Sequence, residues 1–371
     1  MPEGEVIVVT GASAGVGRAT VRAFARPGAR IALIARPSEG LEVACREVEA
    51  AGGEALAVAA DVADHVQVET AASAVEERSG RIDIWINNAM TTIFAPVIDI
   101  SPEEYKRATE ITYLGTVYGT MAALRSMMPR DRGCIVQVGS ALAFRSIPLQ
   151  APYCGAKHGI VDFTESLRTE LLHQRSRVHL TMVHLPGLNT PQFLWCKSRM
   201  PNQPQPVPPI YQPEVAARAI VWAAHLRRRE LYVGAPTALS VWGNQFFPGL
   251  LGRYLPRNGY QAQQTAEPVS RDRPNNLFTP LPGNFGAHGP FDRRAHRRSQ
   301  QLLPDRAPKL GAGCADAGSW RNGRLRRQQR LLDRLEADHA AACAGRLRRS
   351  CLAPRVIRYA GACACATASK H

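Results

Sequence analysis

Glu5-Val-Ile-Val-Val-Thr-Gly-Ala-Ser-Ala-Gly-Val-Gly17 is the stretch on which the fold turns. Glu5–Thr10 is a β-branched run, read as a buried strand, that breaks at once into glycine. From Val16 to Arg26, apolar residues at Val16, Ala19, Ala23 and Phe24 follow helical spacing. A glycine-rich turn opening a helix offers backbone N–H groups and the positive end of the helix dipole to a phosphate. Gly11 permits the tight turn, Gly15 lets a pyrophosphate approach the backbone, and Gly17 lets the helix pack closely on the sheet. The spacing differs from G-x-G-x-x-G and points to another branch of dinucleotide-binding folds.

The pattern continues outward from this turn. Further strands are expected at Arg30–Ala35, Ala55–Ala60, Ile82–Ile86, Cys134–Val138, Val178–Val183 and Glu230–Val233. Helices are expected at Leu41–Ala51, up to Ser79, at Pro102–Met128 as one long helix, at Ala151–His173 and at Pro213–His225. Short apolar strands alternating with helices predict an α/β domain with a doubly wound parallel sheet, covered on both faces. Such sheets bind ligands at the carboxyl ends of their strands. The catalytic domain is read as residues 1–235.

Composition bounds the function. Hydrophobic residues make up 45% of 371, enough for a sizeable core. No apolar run approaches the roughly 18 residues of a membrane-spanning helix, and Met1–Glu5 does not open like a signal peptide. A cytoplasmic protein with reduced thiols is expected, because the nine cysteines show neither a disulfide framework nor metal-ligand spacing. The net charge of +15 suggests a polyanion partner, but 18 basic and only 6 acidic residues lie in 291–371. The first 290 residues are near neutral, so the charge does not argue for a nucleic-acid function, and no nucleic-acid partner is expected.

The chemistry-bearing residues follow the same order. A carboxylate at the end of the second strand would bind the ribose hydroxyls of NAD, but this chain has Arg36 there. A guanidinium pairs with a 2′-phosphate, which favours NADP while leaving NAD possible; a solvated surface arginine is the competing reading. Tyr153 and Lys157 are four apart and share one face of a predicted helix, and Ser140 lies just past the fifth strand. A free tyrosine, with a pKa of ~10, is a poor base. The Lys157 ammonium is expected to draw it toward the working range while Ser140 bonds the substrate oxygen.

With these residues in order, the chain resembles the short-chain dehydrogenase/reductase family over roughly residues 4–235, a single-domain, Rossmann-like, three-layer α/β/α oxidoreductase. Thr10-Gly-x-x-x-Gly-x-Gly17 resembles its cofactor loop, which includes Ser13 and Val16. Asp61-Val62 resembles its adenine-contacting pair, and Asn87-Asn88-Ala89 its N-N-A-G motif. Ser140, Tyr153 and Lys157 resemble its catalytic triad. Pro186-Gly187-Leu188-Asn189-Thr190 resembles P-G-x-x-x-T, in which Thr190 would meet the nicotinamide amide. The resemblance implies hydride transfer between NADP or NAD and a carbonyl/alcohol pair, with Tyr153 as the acid in reduction and Lys157 also on the ribose. It implies a homodimer or homotetramer paired through the helices at Pro102–Met128 and Ala151–His173.

Two positions depart from the family pattern. Met90 replaces the glycine of N-N-A-G, and Thr112 stands where many members carry an asparagine of the proton relay. Thr112 either serves that relay or bonds back to its own helix. The segment from Thr190 to Pro213 carries Phe193, Leu194, Trp195, Met200 and Tyr211, matching an apolar cover over a hydrophobic substrate; simple packing on the domain is an equal reading. Residues 236–290 read as an irregular extension with a short amphipathic helix. Residues 291–371 read as a disordered Arg/Ala-rich tail: a polyanion binder, a partner-binding appendage, or the product of out-of-frame reading, which its composition favours. Against the enzyme stands a second function, a catalytically weak NADP(H)-binding regulatory or interaction protein, motivated by Met90 and Thr112.

Overall fold

A computed structural model describes residues 4–299, apart from 247 and 271. Seven parallel strands form the central sheet: β1 (Val6–Thr10), β2 (Arg30–Ala35), β3 (Glu54–Ala59), β4 (Ile84–Asn87), β5 (Cys134–Ser140), β6 (His179–Leu185) and β7 (Glu230–Tyr232). Their order is β7-β6-β5-β4-β1-β2-β3. The direction of winding reverses between β1 and β4, so their carboxyl ends open a crevice. The register sets Val9 against Leu33 and Ile86, and Ser140 against Leu185.

Alternate strand residues feed two separate core layers, as a parallel sheet buried on both faces demands. Ile7, Val9, Ile31, Leu33, Ile84 and Ile86 face α1 (Gly15–Phe24), α2 (Glu39–Ala50) and α7 (Pro213–His225). Val6, Val8, Ala32, Ile34 and Trp85 face α3 (His65–Ser79), α5 (Gly115–Met127) and α6 (Ala151–His173). Asp64 caps α3 by accepting from Val66 and Gln67 N–H, and Gly80 ends it in the left-handed region.

The segment expected as one helix over 102–128 is divided. It runs as α4 (Pro102–Thr109), a π-helical turn at Glu110–Leu114, then α5. The turn is set by tertiary contact: Thr112 bonds the loop after β4 instead of leaving its hydroxyl to the helix. Past β7 the chain stays on the same unit. It forms α8 (Ala235–Phe246) and α9 (Pro248–Asn258), then a strap over 272–292. Ala295–His296 pairs with Ile210–Tyr211. The Arg/Ala-rich tail lies, beyond residue 299, outside the described residues. Among the described residues no helix is long and apolar enough to cross a membrane.

Candidate active site

The loop after β1 is built around glycines that other residues cannot replace. Gly11 has φ +67°, and a Cβ there would lie 2.8 Å from Ala89 Cα. A Cβ on Gly17 would lie 2.1 Å from the Gly11 carbonyl oxygen. The Thr10 hydroxyl accepts from the Asn88 and Ala89 N–H groups, and Asn88 Nδ2 donates to the Thr10 carbonyl at 2.9 Å. From behind, the fully buried Arg18 donates to the Ser13 carbonyl at 3.1 Å and pairs with Glu47 at 2.7 Å. Sequence reasoning missed Arg18, whose acidic partner Glu47 lies on another helix.

One cavity of about 590 Å³ runs along the carboxyl edge of the sheet. At one end it is lined by Gly11, Ser13, Gly15, Val16, Arg36, Asp61 and Val62. Asn88, Ala89 and Met90 form its floor, and Pro186, Gly187 and Thr190 border its middle. Ser140, Tyr153 and Lys157 line its other half. Thr10 and Gly17 support the loop from outside the lining, and Thr112 lies buried away from it. The Thr112 hydroxyl donates to the Thr91 carbonyl and accepts from the Thr91 N–H, both at 3.1 Å. It therefore bonds the neighbouring loop and not the backbone of its own helix.

Lys157 is buried, and its ammonium donates to the Val138 carbonyl at 2.6 Å. Burial pushes its pKa down to about 8. The ammonium lies 5.6 Å from the centroid of the Tyr153 ring. Tyr153 does not follow the expectation of a lowered value. Burial pushes its phenol up to about 12, against a hydrogen bond with Ser140 that lowers it. Desolvation of the phenolate outweighs the hydrogen bond from Ser140. Ser140 is oriented by accepting from the Leu142 N–H at 3.1 Å.

At the other end, Arg36 donates to the carbonyls of Asn276 and Phe278 at 2.6 and 3.0 Å. Arg107 bonds the Leu277 carbonyl at 3.2 Å and pairs with Asp61. The Gly15 N–H donates to the Gly286 carbonyl at 3.0 Å, and Phe285 meets the Trp195 ring edge-on at 4.6 Å. The strap thus crosses the whole glycine-rich end of the cavity. No local pattern in the sequence marks these contacts; those of Arg36 reach residues 240 and 242 positions away.

The cradle fits a dinucleotide. Its glycines put no side chain over the loop backbone, whose Gly15 N–H is bonded to the strap, and the Lys157 ammonium keeps donors beyond the one given to Val138. A family model described as short chain dehydrogenase matches residues 5–194. The chain belongs to the short-chain dehydrogenase/reductase family, and it is a nicotinamide-dependent oxidoreductase. It is 34% identical to the uncharacterized oxidoreductase YxnA of Bacillus subtilis, over 74% of this chain and 78% of that one. It is 34% identical to D-threitol dehydrogenase of Mycolicibacterium smegmatis, over 45% of this chain and 65% of that one. Among solved structures, a metagenomic short-chain oxidoreductase in complex with NADP matches at a TM-score of 0.52 and 28% identity. That match covers 62% of this chain and 97% of the other.

Proposed function

We propose that this short-chain dehydrogenase prefers NADP and interconverts a carbonyl and a secondary alcohol on a largely apolar substrate. The observation that carries the reading is the single cavity with the glycine cradle at one end and Ser140, Tyr153 and Lys157 at the other. The bound nicotinamide supplies or accepts the hydride. Tyr153 Oη gives the proton to the carbonyl oxygen in reduction and takes it back in oxidation. Ser140 Oγ holds that oxygen, and Lys157 Nζ binds the ribose and favours the phenolate.

Thr10, Gly11, Ser13, Gly15, Val16 and Gly17 form the phosphate cradle in this reading. Asp61 and Val62 flank the adenine, Asn88 and Ala89 support the cofactor, and Pro186, Gly187 and Thr190 meet the nicotinamide. Thr112 positions the loop at Thr91 and takes no direct part. The NADP preference is supported by Arg36, whose guanidinium spends two of its five N–H donors on strap carbonyls. It is also supported by the NADP complex of the structural relative. The apolar substrate is supported by Leu142, Ile147, Phe193, Leu251 and Leu255 around the catalytic half of the cavity. The name D-threitol dehydrogenase of one relative is in keeping with an alcohol/carbonyl pair. The catalytic unit comprises the 1–235 domain with the strap laid over it; it works in the cytoplasm as a dimer or tetramer paired through α4 and α5 (102–128) and α6.

The test is a panel of alcohols and ketones assayed with NADPH and NADH in parallel. Turnover favouring NADPH, abolished by Tyr153→Phe, is expected. Full turnover by Tyr153→Phe sinks the mechanism, and a preference for NADH sinks the cofactor assignment.

A further inference from the structure

Arg145 lies five residues past Ser140 and lines the catalytic half of the cavity. Its Nη1 donates to Asn244 Oδ1 on α8 at 3.1 Å, while Asn244 Nδ2 donates to the Phe144 carbonyl at 2.8 Å. This holds the guanidinium between the post-Ser140 loop and α8. The other edge is unprovided for. Nε is buried with no hydrogen-bond partner, and Nη2 forms no hydrogen bond among the described residues.

No carboxylate among the described residues pairs with Arg145, although ion pairs of arginine with carboxylates recur elsewhere among them, as at Arg18–Glu47 and Arg177–Asp131. Asp61, the only acid lining the cavity among the described residues, sits at the far end and pairs with Arg107. The wall of this half is mostly apolar, with Leu142, Ile147, Leu251 and Leu255, and it also carries the hydroxyls of Ser240 and Tyr254. The other cation in this half, Lys157, is occupied by the Val138 carbonyl and belongs to the catalytic group. A guanidinium held in apolar surroundings without a counter-charge is costly, and a ligand that supplies the charge recovers that cost. Its planar array of donors suits a carboxylate better than any neutral group.

We infer that Arg145 is a specificity residue that pairs with a carboxylate on the substrate, so that the enzyme acts on apolar compounds bearing an acid group at a distance from the reacting carbonyl. This rests on the function proposed above and names its substrate class. A bracing role for α8 through Asn244 is the competing explanation, and it demands no ligand charge.

The experiment measures binding to the full-length protein in the presence of saturating NADP, by calorimetry, so that it does not depend on turnover. The probes are octanoate, methyl octanoate and octyl phosphate, with wild type, Arg145→Met and Arg145→Lys. Wild type is expected to bind octanoate at least about tenfold tighter than methyl octanoate. Arg145→Met is expected to erase that ratio, and Arg145→Lys to retain part of it. Equal binding of acid and ester, no binding of either, or a ratio that survives Arg145→Met overturns the proposal. Octyl phosphate binding tighter than octanoate overturns the carboxylate in favour of a phosphate. If these ratios hold while the carbonyl panel shows no turnover, the oxidoreductase reading of the site fails and the Arg145 site stands.

Discussion

The Lys157 ammonium is bonded to the Val138 carbonyl, 2.6 Å away, inside a wall that burial makes hostile to charge. Its folded pKa of about 8 lies below the ordinary 10.5, so the charge is lost as pH rises through 8. Affinity for NADPH, followed by fluorescence titration, is expected to be level below pH 8 and to weaken above it. Lys157→Arg moves that limb out of range, because a guanidinium keeps its proton. The stability sign is opposite to that of a paired cation. Between about 8 and 10.5 the unfolded chain binds the proton more tightly, so unfolding free energy rises with pH across that window. Denaturant unfolding of Lys157→Met is expected to show a flatter rise.

Arg36 divides its donors between the strap and the cofactor pocket. Removing the guanidinium is expected to cost a 2′-phosphate its partner and leave a 2′-hydroxyl little affected. Arg36→Leu should therefore weaken NADPH by about tenfold more than NADH, about 1.4 kcal/mol. Equal losses for both cofactors would mean that Arg36 serves only to hold the strap.

These two residues mark what was legible. The β1 strand, the glycine turn and the helix after it were readable because backbone conformation there is dictated locally, by Gly11 at φ +67° and by β-branched residues before it. Ser140, Tyr153 and Lys157 were readable because helix spacing and strand ends fix their placement. Spacing alone does not give the direction of the Tyr153 pKa, because the balance of burial against the Ser140 hydrogen bond depends on the surroundings. The bonds of Arg36 to residues 276 and 278 had no local signature at all. The same holds for the π-helical turn at Glu110–Leu114, whose cause is a hydroxyl bonded to Thr91.

The strap's grip on the cavity predicts slow cofactor exchange. Phe285→Ala removes the edge-on contact with Trp195, about 1 kcal/mol. Gly289→Val acts from the other side, since a Cβ there would lie 2.4 Å from the Thr190 carbonyl oxygen. Both variants are expected to release NADPH several-fold faster in stopped-flow displacement. Unchanged release in both would show that the cofactor leaves without moving the strap.

Glu47 carries a prediction at acid pH. Its pairs with Arg18 and Arg22 hold its pKa down to about 2, below the ordinary 4.5. The stabilisation is therefore complete above 4.5 and is lost as pH falls toward 2. Glu47→Gln leaves the buried Arg18 charge uncompensated and is expected to cost about 2 kcal/mol at pH 7, with a smaller difference from wild type near pH 3. Urea unfolding at the two pH values measures this. Because Arg18 also holds the Ser13 carbonyl, weaker cofactor binding should accompany the loss.

Thr112 is fully buried, and its one hydroxyl satisfies both backbone groups of Thr91. Thr112→Val keeps the shape and removes both bonds, leaving an N–H and a carbonyl of Thr91 without that partner. The expected cost is about 1–3 kcal/mol, read from urea unfolding. Thr112→Ser retains the hydroxyl and is expected to recover most of it. Cofactor affinity should fall with stability in the valine variant, since Thr91 follows Ala89 and Met90 along the cavity floor. If Thr112→Val instead keeps full stability and affinity but loses turnover, the hydroxyl acts in proton transfer and the positioning role assigned to it is wrong.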